Sequence, residues 1–143
     1  MDNADLKKLI LAGYEKLRNG QVKELSEMYA EDAIWSSPRV DAVPFSGSQH
    51  GREAILRCLE AMMREQEAKQ VQINALILDS GRAAVCGHSV WLVKATNKIY
   101  ETDWVHIIEY DDHGKGRRFQ MAFDTAAMSS AFKPGKSESS RLA

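Results

Sequence analysis

The feature that most constrains this chain is its second half. From Val71 to Phe123 it reads as four successive strands, Val71 to Leu78, Ala83 to Ala95, Ile99 to Asp111 and Lys115 to Phe123, separated by turn residues at Ser80-Gly81, Thr96-Asn97-Lys98 and Asp112-His113-Gly114. Strands this close in sequence pair antiparallel, so the half folds as a meander. The first half is helical. Leu6, Leu9, Ile10, Gly13, Tyr14 and Leu17 repeat at helical spacing between a cap at Asn3 and a stop at Gly20. Val22, Leu25, Met28 and Tyr29 continue the pattern in a short second helix, Gln21 to Tyr29. Ile55, Leu56, Leu59, Met62 and Met63 mark a third helix from Arg52 to about Ala68. A strand at Ala33 to Ser37 and a loop at Pro38 to His50 lie between, and Asp124 or Thr125 caps a last helix ending at Phe132. Helices segregated from an antiparallel sheet define an α+β fold.

At 143 residues the chain supports one core, placed at 1–132, with 133–143 as a frayed tail. Nineteen basic against twenty acidic side chains leave no positive excess for nucleic acid or an anionic membrane. Neither a membrane-length apolar run nor a secretion signal is visible, which predicts a cytoplasmic protein. Cys58 and Cys86 are expected to be reduced and packed.

The turns also predict a register. A three-residue loop ending at Gly114 pairs Asp111 with Lys115 and sets Glu109 opposite Arg117; a three-residue loop at Thr96 to Lys98 pairs Ala95 with Ile99. One sheet face then carries Gly87, Ser89, Trp91, Asp103, Val105, Ile107, Phe119, Met121 and Phe123. The other carries His88, Val90, Leu92, Tyr100, Trp104, His106, Ile108, Tyr110 and Gln120. Three helices cover one face only, so the second is expected to pair with another copy as a homodimer.

The stretches "LRNGQVKELSEMYAEDAIWSSP", "FSGSQHGREAI", "YETDWVHIIEYDDHGK" and "FDTAAMSSAF" are similar, in this order, to segments of SnoaL-like proteins. The resemblance implies the cone-shaped α+β barrel shared by nuclear transport factor 2, ketosteroid isomerase and SnoaL-type cyclases: three N-terminal helices close a strongly curved antiparallel sheet around an apolar cavity, and the outer face makes a dimer. That would assign the first face to the cavity. The acid-base groups of ketosteroid isomerase would fall at Ser37, Gly13 and Val105, with Tyr14 one residue from the expected tyrosine; those of limonene epoxide hydrolase would fall at Gly87, Ser89 and Met121. None of these six carries the required group. A SnoaL-type catalytic histidine has its counterpart at His106.

Among residues turned inward by the predicted register, Asp103 is the candidate proton carrier, because apolar neighbours such as Trp91 would raise its pKa. A hydrogen-bonded rim carboxylate is the plainer alternative. Asp124 is a further candidate whose simpler role is a helix cap. Tyr14, Trp35, Phe45, Met63, Trp91, Val105, Met121 and Phe123 are candidate lining for a small hydrophobic or cyclic ligand, set against a filled core. His88 and His106, expected opposite one another, make only two metal ligands, and no HxH or HExxH motif completes a site. No cofactor or metal is implied. Two functions stay open: a cofactor-independent isomerase, cyclase or dehydratase, or a binding or dimerisation module without catalysis.

Overall fold

The computed structural model describes residues 1–135; most of the expected tail lies outside the described residues. Helices α1 (Asn3–Arg18), α2 (Val22–Ser26), α3 (Arg52–Glu65) and α4 (Thr125–Phe132) pack on a curved sheet of β1 (Tyr29–Ser36), β2 (Gln49–His50), β3 (Gln66–Asp79), β4 (Arg82–Val93), β5 (Lys98–Tyr110) and β6 (Gly116–Phe123). The sheet order is β2-β1-β6-β5-β4-β3, antiparallel except where β1 runs parallel to β6. Its edges are open, so the cone is not a closed barrel. None of the described helices is long and apolar enough to cross a membrane.

Local chemistry accounts for most boundaries. The side chain of Asp2 rather than Asn3 caps α1, accepting from the Asp5 N–H at 2.8 Å, and Asp124 caps α4, accepting from Ala127 N–H at 3.0 Å. The third helix stops at Glu65, earlier than its apolar spacing predicts, because Gln66, Glu67 and Ala68 pair with Val93, Leu92 and Trp91 of β4. Ladder bonds to a strand already in place outweigh weak helix propensity. α3 buries Ile55, Cys58 and Leu59 against the sheet. The loop before it is held down: Ser46 Oγ accepts from Val40 N–H at 2.8 Å and lies within 2.6 Å of the Val43 carbonyl, while Val40 and Val43 pack in one cluster with Trp91, Val93 and Met128.

The β4–β5 register departs from the sequence expectation. The hairpin loop has four residues, Lys94 to Asn97, and Val93 pairs with Lys98. Asn97 takes the left-handed conformation (φ 57°) and donates its N–H to the Val93 carbonyl at 2.8 Å. Pairing is therefore displaced by three residues, an odd number, which turns every side chain of β5 to the opposite face. Tyr100, Trp104 and Ile108 are buried; Glu101, Asp103, Val105 and Ile107 lie outside. The expected register would have pointed Glu101, Asp103 and Glu109 inward, and burying unpaired carboxylates is far costlier than burying aromatic rings. Lys98 reinforces the observed pairing, donating through Nζ to the Ser130 and Lys133 carbonyls at the end of α4.

At the next hairpin Asp111 N–H does meet the Lys115 carbonyl, at 2.9 Å, with Gly114 left-handed at φ 76°. A bulge between Tyr110 and Glu109 then advances β6 by one residue, so Glu109 pairs with Arg118, its carboxylate 3.6 Å from the guanidinium, rather than with Arg117. Of the residues expected on the homodimer surface, Trp104, His106, Ile108 and Tyr110 face inward, whereas Val90 and Leu92 stay on the outer face of β4.

Candidate active site

The inner face of the cone and α1 bring together groups 92 residues apart in the chain. Tyr14 projects from α1 because it shares the buried stripe with Leu6 and Ile10. His106 projects from the middle of β5, where it pairs with Val85 and Met121. Tyr14 Oη and His106 Nδ1 are 2.6 Å apart. Trp104 stacks on His106, ring centres 4.2 Å apart, and on Tyr14 at 5.5 Å; its indole N–H donates to Ser89 Oγ at 2.7 Å. This stack fixes both rings.

The pair borders a cavity of about 110 Å³ whose wall is overwhelmingly apolar, including Trp35, Phe45, Met62, Trp91, Met121 and Phe123. Burial holds the His106 imidazole well below its ordinary range, at about 3, and pushes the Tyr14 phenol above its own. Both groups are neutral at physiological pH. The phenol keeps its proton; donated to Nδ1, it places the imidazole hydrogen on Nε2, the tautomer taken below. Nε2 has no hydrogen-bond partner among the described residues, yet no buried nitrogen or oxygen there is left unsatisfied, so Nε2 opens onto the cavity. His106 keeps some accessible surface, and the cavity that it borders is partly open.

Several other polar groups in the wall are already paired. Tyr100 Oη donates to Gln66 Oε1 at 2.7 Å, and Thr102 Oγ1 donates to the Asp103 carbonyl at 2.7 Å while accepting from Asp124 N–H at 2.8 Å. The Cys58 thiol lies 3.3 Å from the Phe45 carbonyl and is pushed up to about 11 by burial, so it is not a nucleophile.

Of the candidates named from sequence, Tyr14, Trp35, Phe45, Trp91, Met121, Phe123 and His106 border this cavity. Four others do not. Met63 packs in the cluster beside it, and its neighbour Met62 takes the cavity position. Val105 lies on the outer face, 40% exposed. Asp103 is also outside, its side chain 91% exposed and its Oδ1 2.8 Å from His88 Nδ1; hydrogen bonds accepted by Asp103 and then by Glu101 raise the His88 pKa. The flip of β5 accounts for both outward residues and separates His88 from His106. Asp124 serves as the α4 cap, outside the wall. Sequence reasoning missed Trp104, Tyr100 and the Tyr14–His106 contact; the signal for them was Asn97, whose tolerance of the left-handed conformation sets the loop length. Among the described residues no three His, Cys, Asp or Glu side chains converge on a metal site.

A bent sheet capped by helices, with one phenol–imidazole pair in an apolar interior, defines the class of structure. The chain belongs to the SnoaL-like domain family, which it matches over residues 10–119. Similar solved structures include a nuclear transport factor 2-like protein from Burkholderia xenovorans (24% identity, TM-score 0.80, covering 93% of this chain and 99% of that one). A Bacillus subtilis protein provisionally assigned as an isomerase is 16% identical, with TM-score 0.81 over 92% of this chain and 96% of the other. An epoxide hydrolase/cyclase-like enzyme with a role in pyran ring formation in the polyether salinomycin is 16% identical, with TM-score 0.73 over 88% and 95% of the two chains. At these identities the likeness is one of fold. No curated protein matches the chain significantly.

Proposed function

We propose that the cavity binds one small, largely apolar molecule bearing a carbonyl or hydroxyl oxygen, and that His106 polarises this oxygen as the electrophilic half of a cofactor-independent isomerase- or cyclase-like reaction. The observation that carries this reading is the 2.6 Å Tyr14–His106 hydrogen bond, set in an apolar cavity with Nε2 unpartnered. A neutral imidazole N–H in a water-poor site stabilises negative charge developing on oxygen without having to reorganise. The volume limits the occupant. A cavity of about 150 Å³ accepts benzene, so about 110 Å³ suits a single ring with modest adjustment and not a fused polycycle.

A second reading, binding without turnover, is favoured by one specific observation: among the described residues no carboxylate borders the cavity, so none of them offers His106 a partner base. Acetophenone in D2O separates the two. Under the catalytic reading the protein accelerates exchange of the methyl protons, followed by NMR, and His106→Asn slows that exchange at least about 100-fold, the usual contribution of an acid-base group. Binding without exchange supports the second reading. Failure of acetophenone to bind at all sinks both.

The expected homodimer is kept as a proposal on different residues. Val105 and Ile107 stand exposed on the outer face beside Cys86, Ala84 and Ala122 of the neighbouring strands. A second copy of this chain would cover that aliphatic patch. Light scattering should give twice the monomer mass, and Ile107→Glu should halve it; a wild-type monomer at high concentration overturns the idea.

A further inference from the structure

A second cavity, of about 60 Å³, lies on the other side of α1's buried stripe, and it shares two wall residues with the first: Tyr14 and Leu17. Its remaining wall is aliphatic and aromatic, with Gly13, Leu25 and Met28 on the helical side and Ile108 on the sheet. The glycine helps keep it open. A methyl added at Gly13 would come within 3.7 Å of Leu25 Cδ1 and 3.9 Å of Met28 Cε, ordinary contact distances, so the missing side chain leaves room rather than relieving a clash. A glycine inside a helix costs up to about 1 kcal/mol relative to alanine.

Tyr14 and Leu17 are one turn apart on α1, and they differ in freedom. Tyr14 is held by His106 and by stacking on Trp104, whereas Leu17 has no such tie and is only half-buried. Rotating a leucine costs about 1 kcal/mol, whereas moving Tyr14 would strand a buried acceptor on His106. Leu17 is therefore the movable part of the partition. Tyr14 and Leu17 stand between the two cavities, whereas His106 borders only the larger.

We propose that the two cavities form one ligand site, with a ring in the larger, its oxygen at His106 in that same cavity and a short alkyl group passing Leu17 into the smaller, and that Leu17 and Gly13 set the length of alkyl group accepted. This rests on the reading of the larger cavity as a ligand site. Scaling from the cavity that accepts benzene gives about 25 Å³ per carbon, so the smaller cavity takes about two or three carbons and the larger about four or five, the rest of the ring lying in its open mouth. The ligand class is a short-chain alkyl aryl ketone or a close analogue.

The probes are acetophenone, propiophenone, butyrophenone and hexanophenone, titrated into the full chain and followed by two-dimensional NMR. Affinity should rise roughly fourfold per added methylene as far as butyrophenone, the increment for a buried CH₂, and then stop rising. The Gly13 amide signal should move with butyrophenone and stay still with acetophenone. Gly13→Leu, which fills the smaller cavity, should erase the gain from chain length and leave acetophenone affinity unchanged. Gly13→Ala, whose methyl fits at contact distance, provides a partial fill should the larger residue disturb folding, and it should shorten the preferred chain by about one carbon. If acetophenone binds and affinity is flat along the series, or if the gain survives both substitutions, the tail pocket is overturned while the larger site stands. If no ketone binds, both fall.

Discussion

Gly87→Ala should destabilise the fold by about 3 kcal/mol, lowering the melting temperature by roughly 10 °C, an unusually large cost for adding one methyl group. Gly87 faces inward on β4 opposite Trp104, and a Cβ built there overlaps the Gln72 backbone carbonyl oxygen and the six-membered ring of the Trp104 indole. The backbone oxygen cannot swing away, so Trp104 or the β3–β4 ladder must move. No left-handed backbone is involved, and the whole effect comes from side-chain room. Because Trp104 stacks on both His106 and Tyr14, ketone affinity should fall with stability. Calorimetric melting of the alanine variant checks the first part; a melting temperature within a degree or two of wild type would show that the cross-strand packing has slack.

His106→Asn should flatten the loss of stability in acid. Folding holds the imidazole at about 3, while in the unfolded chain it titrates near 6.5. Between these values the unfolded chain takes up a proton that the folded chain refuses. The stability associated with the neutral imidazole is thus fully present above 6.5 and is lost as pH falls towards 3, at up to about 1.4 kcal/mol per pH unit. Its remaining accessible surface faces a cavity that can admit some water, so about 2 kcal/mol between pH 7 and pH 4.5 is the expected share. Asparagine retains an acceptor near the position of Nδ1 for Tyr14 and does not titrate. Urea unfolding of both proteins at the two pH values gives the difference directly. Equal acid sensitivity would mean that the imidazole is solvated in the folded state.

Part of the cavity wall was legible before the structure, and the misplaced residues of β5 share one cause. Tyr14, Trp35, Trp91 and Met121 were identified correctly as bordering the interior because the strand and helix periods put them there. β4 and β6 were assigned to the correct faces, the latter because the added bulge restored the alternation that a plain hairpin from a flipped β5 would have lost. β5 was inverted whole. Asp103, Val105 and His106 all changed sides together because a strand is a rigid alternation whose phase is set once, at the turn. Counting the β4–β5 loop as three residues instead of four, and starting it two residues late, displaced pairing by three. The three carboxylates of β5 already argued against that phase, since two aromatic rings and an isoleucine were available for the same places.

What the chain determines by itself is the order of elements, the antiparallel meander and the apolar stripes, because hydrophobic period, caps and turn residues act over a few neighbouring positions. The Tyr14–His106 contact, the shared wall of the two cavities and the exclusion of Asp103 from the interior were decided only by tertiary structure. Each depends on pairings between segments far apart in sequence, where one residue of register exchanges the core for solvent. Burial then completes the chemistry, since packing removes the water that would stabilise the charged imidazole and so keeps it a neutral hydrogen-bond donor well into acid.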